Sequence, residues 1–317
     1  MREVTCHEVR VERVAEALDD IEGRTFGYWR GLYYGAYSLT ALREMRDELL
    51  DHVAARTLRD PAPDDNVRTV LRTAAECSLG LLSVGCYPRG DQELLFPLID
   101  RELTSEDIEF QHLVKEAPTA ATWIETFELC VVSGLVWEWR RVIGLLMRGD
   151  NARTIHDGVP YSDLDSVSDP ADLAAMDALC GYLTPSAGHL PRDWPTVPLC
   201  GPDADERAEA ARRLDEVGPL TPDQRLLRVL LDDDRHAFGQ ALAARLVEHR
   251  EQVGADPAPR TLLPLGPLAL AALAVQVHGW ESEVSSAYLP HSLLGSTDAL
   301  RRAADSETNT LGLWTAR

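Results

Sequence analysis

Two places in the sequence carry side chains whose types and spacing could do chemistry. His156-Asp157 is a His-Asp pair of the kind that all-helical metal-dependent phosphohydrolases gather around metal ions, together with an upstream His and a downstream Asp. His112 is the nearest upstream histidine. Gly158 and Pro160 follow the pair directly, so it falls at a helix end rather than on a stable helix face. Nothing in the spacing makes the ligands converge, and the metal reading is the minor one. The second place is Asp232-Asp233-Asp234, a carboxylate run that invites comparison with the magnesium-holding cluster of helical prenyl-transfer enzymes. That cluster needs carboxylates at helical spacing on one face. Three consecutive residues point in three directions, and Arg235 and His236 come next. A helix-to-helix turn with an N-cap is the preferred reading, with an acidic contact patch as a third.

Other chemistries fail on spacing. Gly80-Leu81-Leu82-Ser83-Val84-Gly85 lacks the Gly-x-Ser-x-Gly step of a nucleophile elbow and sits in a helical context. His7-Glu8 and Glu248-His249 have no second histidine at the zincin step. Lys115 is the sole lysine and follows Val114, so there is no P-loop, and Gly-x-Gly-x-x-Gly does not occur. The six cysteines form no Cys-x-x-Cys pair, and Cys77 and Cys130 in apolar stretches read as small buried hydrophobes. The expectation is no catalytic residue, no metal and no cofactor.

Two stretches are distinctive without being catalytic. In Val136-Trp137-Glu138-Trp139-Arg140-Arg141 a charge stands in an otherwise apolar run, and a buried charge needs a partner. Glu138 is expected to pair with an arginine such as Arg141 or Arg30; the functional alternative puts Glu138 and Arg141 in a pocket. The aromatics Phe26, Tyr28, Trp29, Tyr33, Tyr34 and Tyr37 fit a protein-contact surface and a helix packing edge equally well.

The elements that must position these residues read as helices almost throughout. Val11, Val14, Ala15 and Leu18 share one face of a segment from Arg10 to Asp20. Ser38 caps a helix through Leu39, Leu42, Met45, Leu49 and Val53, ended by Pro61 and Pro63. Asp64 or Asp65 caps the next, through Val70, Leu71, Ala74 and Leu81. Leu94 to Ile99 is apolar but contains Pro97, which predicts an extended connector with at most a small edge strand. Thr104 and Asp107 stand at capping-box spacing and predict a helix start. Pro118 to Met147 is apolar on most faces, as a buried central helix or helix pair is, with a bend near Ser133-Gly134. Ser168-Asp169-Pro170 starts another helix, reaching about Leu183. Helices are also predicted over Asp203–Val217, Thr221–Asp232, Asp234–Val253 and Gly266–Glu281.

Pro185, Pro191, Pro195, Pro198 and Pro202, with Trp194 among them, mark 184–202 as a long irregular segment. The predicted organisation is an N-terminal helical portion 1–183, this connector, a C-terminal helical portion 203–295 and a loosely held tail 296–317, or one continuous domain over 1–295. The fold class is all-α: a multi-helix antiparallel array of helical hairpins with few or no strands. The tetratricopeptide pattern does not recur.

Composition bounds the partners. Of 317 residues 45% are hydrophobic and 26% charged, the proportions of a soluble globular chain. Thirty-one basic against 52 acidic residues leave a net charge of −21. Such a chain repels phosphate backbones and anionic membranes and favours a basic protein partner. The near-absence of lysine is the pattern expected of GC-rich coding. No apolar leader opens the chain, and the longest apolar run, Leu262 to Val277, is broken by prolines and short of a membrane span, so a cytoplasmic location is expected.

Several stretches together form a recognisable series: Val70-Leu71-Arg72-Thr73-Ala74-Ala75-Glu76-Cys77, Ser133-Gly134-Leu135-Val136-Trp137-Glu138-Trp139, His189-Leu190-Pro191-Arg192-Asp193-Trp194-Pro195, Pro222-Asp223-Gln224-Arg225-Leu226-Leu227, and His278-Gly279-Trp280 followed by Tyr288-Leu289-Pro290. In this order and spacing, from about Val9 to Leu294, the chain resembles the immunity protein 49 family of actinobacteria. The resemblance implies an all-helical cytoplasmic protein of a polymorphic-toxin locus that binds and blocks a cognate toxin domain. It brings no residue roles with it. Many secreted toxins are nucleases with basic surfaces, and an acidic inhibitor suits one by electrostatic steering. Candidate contact residues are Asp203, Asp205 and Glu206, the corner Asp232, Asp233 and Asp234, and Trp194 in the Pro-rich segment. Two other classes stand beside this one: a helical metal-dependent hydrolase built around His156 and Asp157, and a helical-hairpin adaptor that holds peptides in a groove.

Overall fold

In the computed structural model the described residues are 1–35, 38–60, 65–138, 143–158, 164, 166–185 and 197–305. The chain opens with strand β1 (Arg2–Val4), then helices α1 (Val11–Leu18), α2 (Ile21–Tyr33), α3 (Leu39–Arg59) and α4 (Asp65–Cys86). Val14 and Ala17 of α1 are buried, whereas Val11, expected on the same stripe, holds the first helical position and is 76% exposed. Ser38 caps α3 by accepting from the Thr40 N–H at 3.3 Å. Asp65 is the first residue of α4; Asp64, Pro61 and Pro63 lie outside the described residues. Helix α4 is buried on most of its faces because α3, α5 and a hairpin surround it. A Cβ on Gly80 would lie 2.9 Å from the Leu94 side chain and one on Gly85 3.0 Å from Pro118, so both glycines serve close packing inside a helix.

The hairpin pairs β2 (Glu93–Phe96) with β3 (Arg101–Thr104), antiparallel with Leu94 opposite Leu103. Pro97 escapes the ladder by starting a short 3₁₀ turn, Pro97–Ile99. The helix predicted to start at Thr104 does not form. The Thr104 N–H and hydroxyl both donate to Asp107 Oδ2, at 3.1 and 2.9 Å, and close a turn instead. The side-chain bonds that cap a helix serve an isolated turn equally well, and the chain then drops Phe110 into the core through a three-residue 3₁₀ turn.

Helix α5 (Ala120–Ser133) begins with a Thr119/Thr122 capping box and ends at Gly134, whose φ of 76° makes the predicted bend. Trp123 and Phe127 stack at 5.3 Å in its buried face. The chain continues through a 3₁₀ turn, Leu135–Trp137, then α6 (Ile143–Leu145), a π-helical stretch Leu146–Asn151 and α7 (Ala152–Asp157). Asp169 caps α8 (Pro170–Cys180), with Pro170 in its first turn as the sequence predicts. Next come α9 (Ala204–Glu216), α10 (Pro222–Leu231), α11 (Arg235–Gln252), α12 (Leu265–Gln276), β4 (Val284–Ser286) and α13 (His291–Leu294).

Every residue of α12 from Gly266 to Gln276 is buried. The helix ends at Gln276, not at Glu281, because Gly279 adopts φ 69° and the Trp280 N–H turns back to the Ala274 carbonyl at 3.0 Å. Helix α12 packs on α5 and α10, and α8 packs on α5 and α9, so one contiguous apolar cluster runs from Val4 to Leu294. The two ends of the Pro-rich segment are pinned together: Thr184 N–H donates to the Pro198 carbonyl at 3.1 Å and Cys200 N–H to the Tyr182 carbonyl at 2.9 Å.

Strands β1 and β4 pair in parallel, Arg2 opposite Val284. Next to them His7 is locked from both sides. Its N–H donates to the Tyr288 hydroxyl at 3.0 Å, which in turn meets His7 Nδ1 at 2.7 Å, while His7 Nε2 meets the Thr261 hydroxyl at 2.8 Å. The partners His7 and Tyr288 are 281 positions apart in the chain.

Candidate functional site

The catalytic-looking pair is divided between separate partners. His156 Nε2 lies 2.8 Å from Asp177 Oδ1 on α8, and Asp157 accepts from Arg153 Nε at 3.2 Å. His112, the candidate third ligand, faces Glu109 at 2.6 Å. Among the described residues no three His, Cys, Asp or Glu side chains come together in a way that could hold a metal ion. Cys77 and Cys86 are buried, and burial pushes the Cys86 thiol up to about 12.

The acidic corner is taken up by the fold. Asp232, at the end of α10, pairs with Arg228, which also holds Asp215 at 3.0 Å. Asp233 sits at φ 58° and turns back to His278 Nδ1 at 2.8 Å and Arg207 at 3.0 Å. His278 Nε2 in turn meets the Tyr182 hydroxyl at 3.0 Å. Burial holds the His278 pKa low despite the opposing pull of Asp233. An Asp-His-Tyr chain resembles a nucleophile relay, but Tyr182 is fully buried and its hydroxyl pKa is raised, so this chain fastens three elements together. Asp234 caps α11, accepting from the His236 and Ala237 N–H groups at 2.8 and 3.0 Å. The three carboxylates thus point three ways, as consecutive positions of a turn must. Asp203 and Glu206 are engaged with each other's backbone in the capping box of α9, at 2.8 and 2.9 Å, and Asp205 is exposed beside them.

Glu138 pairs with Arg72 of α4, not with Arg30, because α4 is the helix packed beside α5. Arg141 lies outside the described residues, as do Trp194 and Tyr37. The aromatic cluster on α2 divides between its two readings. Tyr28 packs inward and donates to Glu48 at 2.8 Å. Phe26, Trp29 and Tyr33 form an outward ladder with ring centroids 5.3 Å apart, and Tyr34 at its end is 75% exposed.

One site has no counterpart in the sequence reading. Helices α5, α8 and α10, with Leu270 of α12, line an open cleft of about 250 Å³. Its walls include Ile124, Leu179, Leu227 and Leu270, and four carboxylates line it: Glu125, Glu128, Asp172 and Asp223. Three of these have partners. Arg46 donates to Glu125 at 2.9 Å, Arg245 to Asp223 at 2.6 Å, and Gln224 Nε2 to Asp172 at 2.7 Å. Among the described residues no hydrogen bond or ion pair reaches the Glu128 carboxylate. Burial raises its pKa well above the usual carboxylate range, and the charges of Asp223 and Glu125 raise it further. The available signal was two acids three positions apart in an otherwise apolar stretch of the chain.

Among the described residues no helix is long and apolar enough to cross a membrane. A family model described as Immunity protein 49 matches residues 61–293. The match starts at 61 rather than near Val9, so it takes in the cleft and leaves out β1 to α3. No curated protein and no solved structure matches the chain.

Proposed function

Since the chain belongs to the Immunity protein 49 family, we propose that it binds one cognate toxin domain in the cytoplasm and neutralises it by occupying its surface, without catalysis. The observation that carries this is the family match over residues 61–293. Two features support it. The net charge of −21 suits a basic partner, such as a nuclease domain, and would speed encounter by long-range attraction. The residues that look catalytic in the sequence, His156, Asp157 and Asp232 to Asp234, are each tied up in structural pairs or caps.

The test is co-expression of this protein with toxin domains from neighbouring genes, followed by a pull-down. Rescue of growth with a stoichiometric complex is expected. Rescue with no complex would replace steric inhibition by an enzymatic antidote, and no rescue by any such pair would remove the immunity reading for those toxins. Affinity is expected to fall as salt rises from about 0.05 to 0.5 M, since screening shortens the reach of exposed charge; a salt-independent affinity would remove the steering component.

A further inference from the structure

The cleft between α5, α8 and α10 has a chemistry that matches one kind of group. Its walls are apolar, through Ile124, Leu179, Leu227 and Leu270, and its acidic lining is contributed by three different helices. A metal ion is a poor fit, because the carboxylates do not converge into a metal-holding group. A long basic side chain is a good one. Its methylene stem lies against apolar walls while its charged head reaches carboxylates, which is how arginine and lysine bury themselves at interfaces. We propose that this cleft is the socket for an arginine or lysine side chain projecting from the cognate toxin, with Glu128 as its counter-charge.

Glu128 is the second, independent sign of a missing cation. Its neighbours Glu125, Asp172 and Asp223 are each answered by a partner within the chain, and among the described residues Glu128 is not. The residue is half-buried, and its carboxylate lines the cleft, where solvent or a partner can reach it. A desolvated carboxylate that faces two others of the same sign weakens the free protein. A guanidinium or ammonium arriving from outside would offset that penalty, so the strain of the free state becomes affinity in the complex. The match to residues 61–293 includes all four carboxylates.

The inference rests on the toxin-binding reading, and the experiment separates the two. Glu128→Gln keeps shape and removes charge; Glu128→Lys places a cation where the partner's would go; Glu12→Lys, at an exposed position of α1, makes the same change in net charge as Glu128→Lys elsewhere. Dissociation constants for a toxin domain that the wild-type protein neutralises are measured for all four proteins, with thermal melts as the check on folding. Truncating one partner of a desolvated charge pair is expected to weaken binding about thirtyfold or more for Glu128→Gln, further for Glu128→Lys, and about twofold or less for Glu12→Lys, with no loss of melting temperature in either Glu128 variant. Binding by both Glu128 variants within about twofold of wild type, or a loss no larger than that of Glu12→Lys, would overturn the socket.

If the wild-type protein binds no toxin domain, it is the immunity reading that fails, and the cleft is tested alone. N-acetylarginine amide is titrated against protein whose glutamate carboxyl carbons are labelled. A saturable shift of the Glu128 signal, absent in Glu128→Gln, would support a basic-group site. No shift would overturn it. A response to this free probe together with toxin binding that ignores Glu128 would also overturn the proposal, in favour of a site for a small organic cation.

Discussion

The corner at Asp232 to Asp234 and the cleft around Glu128 are both carboxylate clusters, and they have opposite fates. At the corner each acid is engaged separately, one in a pair with Arg228, one in a link to His278 and Arg207, one as the cap on α11. In the cleft the acids come from three helices, and among the described residues one of them, Glu128, is unanswered. Density of charge along the chain therefore says little about where charge is available to a partner. What matters is whether the fold itself supplies the counter-charge. Consecutive acids on a turn reach caps and flanking arginines easily, because each points to a different neighbour. Acids that meet across packed helices share one small space and compete for the same few cations.

Asp233→Ala removes the acceptor of both His278 and Arg207 and puts an alanine at φ 58°. It is expected to cost about 2 kcal/mol or more, from the lost charge-assisted bonds, in urea unfolding. A loss below about 0.5 kcal/mol would show that the corner is not structural.

The cleft makes a prediction of opposite sign. Because the Glu128 pKa is raised in the folded state, folding favours its protonated form. Stability from this group is greatest below the ordinary glutamate pKa and declines as pH rises through the folded value. Glu128→Gln is therefore expected to melt a few degrees above wild type at pH 8, with the gain shrinking at pH 4. An unchanged melting temperature at pH 8 would mean that the carboxylate is not strained.

A smaller effect separates the corner's histidine from the cleft. The His278 and His7 pKa values are both lowered, chiefly by burial, so the unfolded chain binds protons more readily near pH 6.5. Their contribution is present above pH 6.5 and is lost as pH falls below it. Melts between pH 7.5 and 5 should show a decline that His278→Gln reduces. Smallest of all, Asp232→Asn should change stability by about 0.5 kcal/mol or less, since the Arg228 pair is half exposed and Arg228 keeps Asp215. A larger loss would make Asp232 as structural as Asp233.

Much of the fold was legible because helices announce themselves locally. Ser38, Asp169, Asp203 and Asp234 all cap the helices that the sequence assigns to them, and Gly134 bends the chain where the apolar run predicts. Errors arose where one local pattern serves two structures. Thr104 and Asp107 make the bonds of a helix start inside a turn, and α12 stops at Gln276 although the apolar residues continue. The corner was visible because its acids adjoin in sequence. The cleft was not, because Glu128, Asp172 and Asp223 become neighbours only through the packing of α5, α8 and α10. Glu138 was legible as a charge in need of a partner, but its partner Arg72 is set by which helix lies alongside.

The pairing of β1 with β4 also places a condition on how the molecule is made. Residues at the start of the chain find their partners on a strand that begins at Val284. A ribosome adding about 5–20 residues per second needs on the order of 15–60 s to reach that strand. Through that interval the first strand and the His7 segment emerge with nothing to dock on. Their closure therefore waits until β4 has been made, after the helices between them have had time to pack. For a protein proposed to meet a toxin, the delay sets a lag between the making of β1 and the first fully closed molecule.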